Sequence, residues 1–360
     1  MTLVAAAGVV LIALILWDAF EAVVLPRRVT RRVRLTVVHF RLLWLVWALA
    51  LKVVRNPRRR ESFLSLYAPL ALMLLLATWA AGLIVGFAMV HWGLGANLVA
   101  PESHASFATA LYFSGTTLFT LGLGDVHPSS PAGRMLTVIE AGTGFALLAL
   151  AIGYLPVFYQ SFARRETDVS MLDEWAGSPP AAGTLLSRLG QWHDVAALSG
   201  FLSRWEQWAA DPMESHISYP ILAGFRSQHG NQSWLSGLTA ILDTCALVLV
   251  GIDGLAQREA WLTFAISRHA LVDLCQVLNT PPVAPAEDRL PDEGLAQLRR
   301  LLAESGIHLR GGPDADTRLA ELRRMYEPYA FALSRRLLMP LPPWMAPASA
   351  KDNWTKSAWV

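Results

Sequence analysis

The sequence predicts an all-α membrane protein with a helical soluble half. Hydrophobic residues make up 54% of the chain and charged residues only 16%, and the mean hydropathy is +0.37. Three apolar segments, at 3–25, 63–92 and 134–162, reach the roughly 20 residues that a helix needs to cross a bilayer. After them, leucines recur at spacings of three and four residues, the period of a helix, whereas the alternation typical of strands is scarce.

Residues 1–61 are predicted to form an N-terminal transmembrane helix followed by an amphipathic helix on the inner face of the membrane. No basic residue precedes the first apolar segment, so we interpret it as an uncleaved span with its N terminus outside. The next apolar segment, 35–54, carries His39, Arg41 and Lys52 and has arginines at both ends. A helix that lies on the inner surface keeps those arginines on one side, whereas a full span, the alternative, does not.

Two arginine clusters set the predicted topology. Residues 91–133 contain no lysine or arginine, whereas the clusters flank the segment at 35–54. Under the positive-inside rule, the clusters are cytoplasmic and residues 93–132 face the outside. The clusters consist of Arg27, Arg28, Arg31, Arg32 and Arg34, and of Arg55, Arg58, Arg59 and Arg60.

Two acidic residues, Asp18 and Glu21, lie three positions apart near the inner end of the first span. Acidic residues within a membrane are functional candidates. The alternative, which we favour, is that both side chains pair with the nearby arginines at the membrane interface.

The most informative motif is the hexapeptide T-L-G-L-G-D at 120–125, between the second and third spans. Glycines at alternate positions permit backbone angles that other residues resist. Successive carbonyl oxygens can then line one axis and replace the water shell of a potassium ion. The segment before it, 106–119, is too short to span and is predicted to be a helix that enters the membrane and stops. Irregular backbone at membrane depth must face protein or water, so several copies must surround a pore.

With these features, residues 62–163 resemble the two-transmembrane pore module of the potassium channel superfamily. The order of elements matches the family as well as the hexapeptide does: a span, a short pore helix, the filter, the outer mouth and an inner helix. The matching positions outside the hexapeptide are Tyr112 and Phe113 on the pore helix, Pro128 in the outer mouth, and Gly133 and Arg134 at the start of the inner helix.

The resemblance implies a site and an assembly. Because each chain carries one filter, four identical chains are expected to form one pore. Backbone carbonyls and the Thr120 hydroxyl would bind the ions, Asp125 would support the filter, and Gly144 falls near the family's inner-helix hinge. The implied filter residues are Thr120, Leu121, Gly122, Leu123, Gly124 and Asp125.

Two positions depart from the family pattern. Leu123 replaces the usual tyrosine or phenylalanine, which packs against the pore helix and stiffens the filter, so weaker selectivity over sodium is an open alternative. Thr116 stands where some members have a glutamate that pairs with the filter aspartate. Asp125 is therefore expected to need another partner or water.

Glu140 and His127 are candidates for facing the pore. Glu140 lies in the third span, where it would either enrich cations in the pore or pack against another helix, paired with Thr143 or a pore-helix hydroxyl. His127 follows Asp125 by two positions, at the outer mouth. Because histidine titrates near physiological pH, His127 is either a bystander or a proton-sensitive group that reduces conductance.

The second half, 164–339, is predicted to be a helical cytoplasmic domain, and 340–360 a loose tail. The apolar stretch Leu238–Val250 contains Asp243 and is predicted to be a buried core helix. Cys245 and Cys275 are expected to be free thiols. The predicted core tryptophans are Trp192, Trp205, Trp208, Trp234 and Trp261.

Other classes of function lack support in this half. It has no dinucleotide-binding fingerprint, no paired acid and base or nucleophile motif, and no basic aromatic stripe for nucleic acid. The His193-Asp194 pair and the Glu214-Ser-His216 triplet lack further metal ligands at recognisable spacing, so structural hydrogen bonds are expected there.

The sequence as a whole predicts a homotetrameric, potassium-selective channel of the inner membrane, not an enzyme. Its partners would be the lipid bilayer, permeant K⁺ and an unidentified cytoplasmic ligand or protein that gates it, with no other cofactor. No helix carries arginine at every third position, so we expect no voltage sensor. The alternatives are a weakly selective monovalent cation channel, or a membrane sensor or scaffold whose pore is vestigial.

Overall fold

The structure is a computed structural model that describes residues 1–25, 34–95, 98–101, 106–192, 196–252, 257–285 and 287–347. The chain divides into two compact units, Met1–Tyr159 and Gln160–Val360. Arg27, Arg28, Arg31, Arg32, His193 and Asp194 lie outside the described residues.

The first unit is built from long helices and a two-stranded ribbon. Helix α5 begins in this unit and continues into the second, and Pro156 lies inside it. Strands β1 (Leu98–Val99) and β2 (His127–Pro128) pair in antiparallel fashion. The helices are α1 (Thr2–Ala19), extended by a π-helical turn (Phe20–Val24), α2 (Leu35–Leu51), α3 (Pro57–Gly93), α4 (Phe107–Leu118) and α5 (Pro131–Ala176).

Three apolar helical segments of this fold coincide with the predicted spans, and the third continues beyond its predicted end at residue 162 to Ala176. They are Thr2–Val23, Arg59–Gly93 and Pro131–Ala176, and a fourth segment in the second unit, Trp234–Gly251, satisfies the same criteria. The fourth is different in character, because 94% of it is buried inside the protein. These features agree with an all-α, multi-pass membrane protein.

Helix α1 packs closely against α3 through glycines. A Cβ on Gly8 would lie 2.6 Å from the carbonyl oxygen of Gly86, and one on Gly82 would lie 2.3 Å from Ile15 Cδ1. Gly82 and Gly86 are four residues apart, the spacing that lets two membrane helices approach each other closely. The N-terminal helix is therefore part of the first unit.

The buried carboxylate of Asp18 joins three helices. It accepts hydrogen bonds from the Thr36 hydroxyl at 2.6 Å and backbone amide at 3.2 Å, and from the Trp79 indole at 3.0 Å. Among the described residues, its partners are thus neutral donors from α2 and α3, and four of the arginines expected to pair here lie outside those residues. Glu21 accepts a hydrogen bond from the Trp17 indole at 2.9 Å.

Helix α2 runs along the N-terminal half of α3, in the opposite direction. The Trp47 indole donates to the Phe63 carbonyl and the Tyr67 hydroxyl donates to the Phe40 carbonyl, both at 3.0 Å. Apart from Arg41, the outward face of α2 is apolar. Large aromatic side chains thus bury one face of α2 on α3, and the other face is mostly apolar; the inner-face position of this helix stays a prediction. The exposed apolar residues are Leu35, Val38, Leu42, Leu45, Val46 and Leu49.

The second unit is a helical bundle around one buried helix. Helix α8 is buried along nearly its whole length, which confirms the predicted core helix at Leu238–Val250. Cys245 and Cys275 are free and buried, and burial raises the pKa of the Cys275 thiol to about 12. The helices described in the second unit are α6 (Ala182–Gln191), α7 (Ala197–Ser218), α8 (Trp234–Gly251), α9 (Gln257–Val277), α10 (Asp292–Glu304) and α11 (Pro313–Leu337), with a 3₁₀ turn at Pro220–Gly224.

The predicted tryptophan core is confirmed in part. Trp205, Trp208 and Trp234 are buried, as expected for large apolar side chains in a bundle. Trp192 and Trp261 are instead exposed. Trp192 caps the C terminus of α6 and Trp261 lies in the second turn of α9, so both sit at helix ends outside the closed interior.

Residues 340–347 are packed against the bundle, unlike the loose tail expected at 340–360. The Trp344 side chain is 2% exposed, and its carbonyl oxygen accepts a hydrogen bond of 2.8 Å from the Gly183 amide. The guanidinium groups of Arg289 and Arg323 each lie 5.6 Å from the Trp344 ring. A large aromatic ring between two cations holds this segment in place. Residues 348–360 lie outside the described part of the chain.

A buried polar network supports the same region. Arg289 pairs with Asp243 of α8 at 2.6 Å and with Glu327 of α11 at 3.1 Å, and the Tyr326 hydroxyl donates to Asp243. Arg289 also donates to the Pro342 carbonyl at 2.8 Å. A charge inside a bundle is costly unless it is paired, and Asp243 has both an arginine and a tyrosine hydroxyl as partners.

Candidate functional site

Helix α4 precedes the hexapeptide and has a well-defined start. The Ser106 hydroxyl accepts from the Thr109 amide, and the Thr109 hydroxyl accepts from the Ser106 amide, both at 3.2 Å. This reciprocal capping box satisfies two of the amides that a helix start leaves without partners. The helix has 12 residues, too few to cross a bilayer, as the sequence predicts for 106–119.

The 120–125 segment has an alternating backbone. Thr120, Gly122 and Gly124 have positive φ angles of 57°, 55° and 80°, whereas the two leucines between them do not. Glycine adopts this left-handed conformation freely, but a threonine in it costs about 1–3 kcal/mol, a strain that proteins retain mainly at functional sites. Alternation of this kind allows consecutive carbonyl groups to point to one side of the chain.

The amides at the start of the segment are held by the end of α4. The Thr120 amide donates to the Thr117 carbonyl at 3.0 Å, and the Leu121 amide donates to the Thr116 carbonyl at 2.7 Å. The Gly122 amide also reaches the Thr116 carbonyl, at 3.3 Å. Within the described residues, no group donates a hydrogen bond to the carbonyl oxygens of 120–124. The segment therefore presents free acceptors, which are the ligands that alkali cations require.

The segment is open on its other sides. The side chains of Leu121 and Leu123 are 62% and 59% exposed. A Cβ added to Gly122 or Gly124 would meet no atom within 4 Å. Within one chain, the segment therefore does not enclose an ion site by itself.

Asp125 has a partner that the sequence reasoning missed. The Tyr112 hydroxyl donates to Asp125 Oδ2 at 2.9 Å, which joins α4 to the end of the segment. Thr116, which replaces a glutamate of some family members, donates instead to the Phe113 carbonyl of its own helix at 2.9 Å. The sequence did mark Tyr112 as an aromatic position on the pore helix. Its contact with Asp125, 13 positions further along the chain, depends on how the backbone folds and could not be predicted from the pattern.

Gly144 is a point of close helix packing. A Cβ on Gly144 would lie 1.9 Å from the carbonyl oxygen of Leu118, the last residue of α4. Only glycine permits α5 to approach α4 at this distance. The role of Gly144 as a gating hinge stays a prediction, and the packing requirement is a separate constraint on the same residue.

Glu140 does not face a pore. Its side chain is fully buried, and Oε2 lies 3.0 Å from Nε2 of His91, a residue of α3 that is also fully buried. The sequence left two alternatives, a pore-facing side chain or one packed against another helix, and the structure shows the second. The partner of Glu140 is His91 of α3, whereas the hydroxyl of Thr143, an expected partner, donates to the Ile139 carbonyl. The direction of a side chain around a helix axis decides this point, and it cannot be read from spacing alone.

His127 is exposed on β2, opposite Val99 of β1. It lies close to Asp125 along the chain, as the sequence implies. Its response to protons stays a prediction.

The second unit contains a pocket of about 250 Å³. Ser161, Arg164, Trp208 and Tyr219 are among its lining residues. The nearby Arg165 is buried and donates to the carbonyls of Leu222 and Phe225 and to Glu166. The described residues contain no group of histidine, cysteine, aspartate and glutamate able to hold a metal ion.

His216 belongs to the structural framework beside this pocket. Its Nε2 lies 3.1 Å from Arg165 Nη1, and its Nδ1 lies 3.2 Å from the Ser215 hydroxyl. Burial, and then the charge of Arg165, hold the pKa of His216 well below its usual value. The expectation of structural hydrogen bonding is therefore confirmed for His216.

Comparisons with known proteins point to the same region. Residues 73–161 match a family model described as an ion channel. Together with this match, the fold defines an all-α membrane protein with a potassium-channel-like pore module, and the match supports an ion channel.

Two relatives are similar to this chain. The uncharacterized membrane protein YdjJ of Bacillus subtilis (strain 168) is 23% identical over 262 residues, which cover 68% of this chain and 70% of that protein. Protein LctB of Geobacillus stearothermophilus is 33% identical over 87 residues, which cover 21% of this chain and 64% of that protein. This chain thus spans less than two thirds of LctB. No solved structure gives a significant match.

Proposed function

We propose that this protein is a potassium-selective channel in which four copies of the 120–125 segment surround one pore. The observation that carries the proposal is the alternating backbone of this segment, with amides bonded to α4 and carbonyl oxygens left free. Rings of backbone carbonyls replace the hydration shell of K⁺ in such filters. Conduction of this kind needs no catalytic group and no cofactor besides the permeant ion.

The exposed surfaces of the first unit support assembly from several copies. Only 11% of the apolar window in Pro131–Ala176 is buried within the chain. Large apolar side chains at the segment and along α5 have no cover, and a homotetramer would bury many of them. These exposed residues include Phe119, Leu121, Leu123, Met135, Val138, Phe145 and Leu148.

The proposed location is the inner membrane, with the second unit in the cytoplasm. The absence of lysine and arginine from residues 91–133, against the arginines at 55–60, supports this orientation through the positive-inside rule. Gating by the second unit, through a ligand or partner, is supported by helix α5, which belongs to both units. A change in the second unit therefore has a covalent route to the pore module.

The proposal is tested by ion flux from liposomes that contain the purified protein, with K⁺ inside and Na⁺ outside. We expect K⁺ efflux that barium blocks and that Gly122→Asp abolishes, because an aspartate at φ 55° is strained and adds a charged side chain to the proposed wall of carbonyl oxygens, the carbonyl wall. Gly200→Asp is the matched control, because Gly200 lies in the second unit with no atom within 4 Å of an added Cβ. Equal flux from the wild type and Gly122→Asp would contradict the proposal.

A weakly selective monovalent cation channel is the second candidate. It is favoured by Leu123, whose exposed side chain lacks the aromatic ring and hydroxyl of the family's filter residue. Reversal potentials in mixed K⁺ and Na⁺ gradients separate the two: a value near the K⁺ equilibrium potential supports the first candidate, and a value midway supports the second. A sensor or scaffold with a vestigial pore would carry neither ion, even when barium-sensitive controls conduct.

A further inference from the structure

A fully buried pair, His91 and Glu140, lies directly behind α4. His91 comes from the last turns of α3 and Glu140 from the third turn of α5, and their Nε2 and Oε2 atoms are 3.0 Å apart. Both side chains have no exposed surface. The pair therefore joins the outer and inner helices of the pore module in a position without water.

Both members of the pair also touch α4. The His91 ring meets the Phe113 ring edge-on, with centroids 5.1 Å apart. The Ser114 hydroxyl is buried beside the Glu140 carboxylate. Two adjacent residues of α4 thus contact the pair: Phe113 contacts His91, and Ser114 lies against Glu140.

A second contact from the same face of α5 holds the end of α4. Glu140 and Gly144 are four residues apart on α5, and their neighbours Ser114 and Leu118 are four residues apart on α4. The Leu118 carbonyl fits against Gly144, where a Cβ would be 1.9 Å away. The carbonyls of Thr116 and Thr117, which bind the first amides of the 120–125 segment, lie between these two contacts.

The energy of the pair makes it a rigid support. Removal of one partner leaves the polar group of the other buried without its hydrogen bond, which is destabilising. Three buried polar atoms here, His91 Nδ1, Glu140 Oε1 and Ser114 Oγ, already lack hydrogen-bond partners within the described residues. Because Phe113 and Ser114 of α4 lie against the pair, a change at His91 or Glu140 alters the support of α4.

We propose that His91 and Glu140 are positioning residues that set the ion selectivity of the 120–125 segment through α4. This inference rests on the proposed function and adds to it the residues that hold the geometry of the carbonyl wall. The pair differs from Tyr112 and Asp125, which join α4 to the outer end of the segment. Its contacts are to the middle of α4, near the carbonyls that fix the first amides of the segment.

The experiment compares full-length wild type, His91→Ala, Glu140→Ala, His91→Gln and Glu140→Gln. The glutamine variants keep a hydrogen-bonding side chain of similar size. Thr137→Val is the matched control on α5, because its hydroxyl bonds only to the Gly133 carbonyl of its own helix. Two quantities are measured: the Na⁺-to-K⁺ permeability ratio from reversal potentials, and the K⁺ and Na⁺ affinities of the detergent-purified protein by calorimetry.

We expect the alanine variants to raise the permeability ratio and to reduce the preference for binding K⁺ by about tenfold, equivalent to roughly 1.4 kcal/mol. The glutamine variants should show a smaller change in the same direction, and Thr137→Val should show none. A purely structural role would lower the yield or the melting temperature and leave both ratios at the wild-type value.

Three results would overturn the inference. The first is alanine variants that assemble and keep the wild-type ratios. The second, which applies if the alanine variants do not assemble, is glutamine variants that keep the wild-type ratios. The third is a Thr137→Val variant whose ratios change as much as those of the alanine variants. A wild-type protein that binds Na⁺ and K⁺ equally would instead refute the proposed function itself, and the calorimetry shows this even for a channel with a closed gate.

Discussion

At the scale of single residues, hydrogen bonds to α4 hold both ends of the 120–125 segment. Asp125 is held by Tyr112, and the strained Thr120 is held by the Thr117 carbonyl. Each of these contacts joins the 120–125 segment to α4. The rigidity of the 120–125 segment therefore depends on the hydrogen bonds that join it to α4.

The Tyr112 hydroxyl is the most direct test of this idea. Tyr112→Phe removes the hydrogen bond that the hydroxyl donates to the Asp125 carboxylate. We expect currents that decline faster during sustained opening, because the outer end of the segment loses its link to α4. Recordings at fixed voltage measure the decline.

Tyr329→Phe, in α11 of the second unit, is the control and should decline at the wild-type rate. The role given to the hydroxyl would be refuted by a Tyr112→Phe channel whose currents last as long as those of the wild type.

The sequence predicted the local features of the site and missed the contacts that depend on the fold. The hexapeptide, the short helix before it and the spans were readable because each is a contiguous pattern. Glu140 was left between two alternatives because its direction depends on how α5 is rotated against α3 and α4. The packed segment around Trp344 was also missed, since its cations, Arg289 and Arg323, come from distant parts of the chain.

At the scale of elements, small residues decide how closely the helices of the first unit approach. Gly82 and Gly86 bring α3 against α1, and Gly144 brings α5 against the end of α4. Without a hydrophobic driving force in lipid, close packing of this kind is a main source of helix association. The membrane unit is therefore sensitive to single added methyl groups.

Gly144→Ala tests this sensitivity. The added Cβ would lie 1.9 Å from the Leu118 carbonyl oxygen, so α4 or α5 must move. We expect a lower melting temperature in detergent and reduced K⁺ flux, with a cost of about 1–3 kcal/mol as for other overpacked sites.

Gly153→Ala is the matched control on the same helix, because an added Cβ there meets no atom within 4 Å. It should melt at or above the wild-type temperature, since alanine favours helix. Equal melting temperatures for the two variants would contradict the close packing of α4 and α5.

At the scale of the whole molecule, the chain combines a unit with many exposed apolar side chains and a unit that has a core of its own. The second unit is stabilised by buried polar groups as well as by apolar packing, among them Arg165 and His216. Because such groups titrate differently in the folded and unfolded states, its stability must depend on pH.

His216 gives this dependence a definite sign. Its folded-state pKa is depressed by burial and by Arg165, so between that pKa and its usual value of 6.5 the unfolded chain binds more protons. The contribution of His216 to the stability of the folded unit is therefore complete above pH 6.5 and is lost as the pH falls below that value. We expect the melting temperature of the second unit to fall on acidification, because its free energy of unfolding decreases by up to about 1.4 kcal/mol per pH unit.

His216→Gln should weaken this slope, and His229→Gln, at an exposed position, should preserve it. Tryptophan fluorescence follows the transition, because Trp205, Trp208 and Trp234 are all in the core of this unit. Identical slopes in the wild type and His216→Gln would refute the assignment.

Helix α5 has one further consequence, which concerns mechanics. Its 46 residues correspond to a rod about 70 Å long at 1.5 Å per residue. Pro156 removes one backbone hydrogen bond from this rod, three residues before the boundary at Tyr159 and Gln160. We therefore expect the helix to bend most easily at this point.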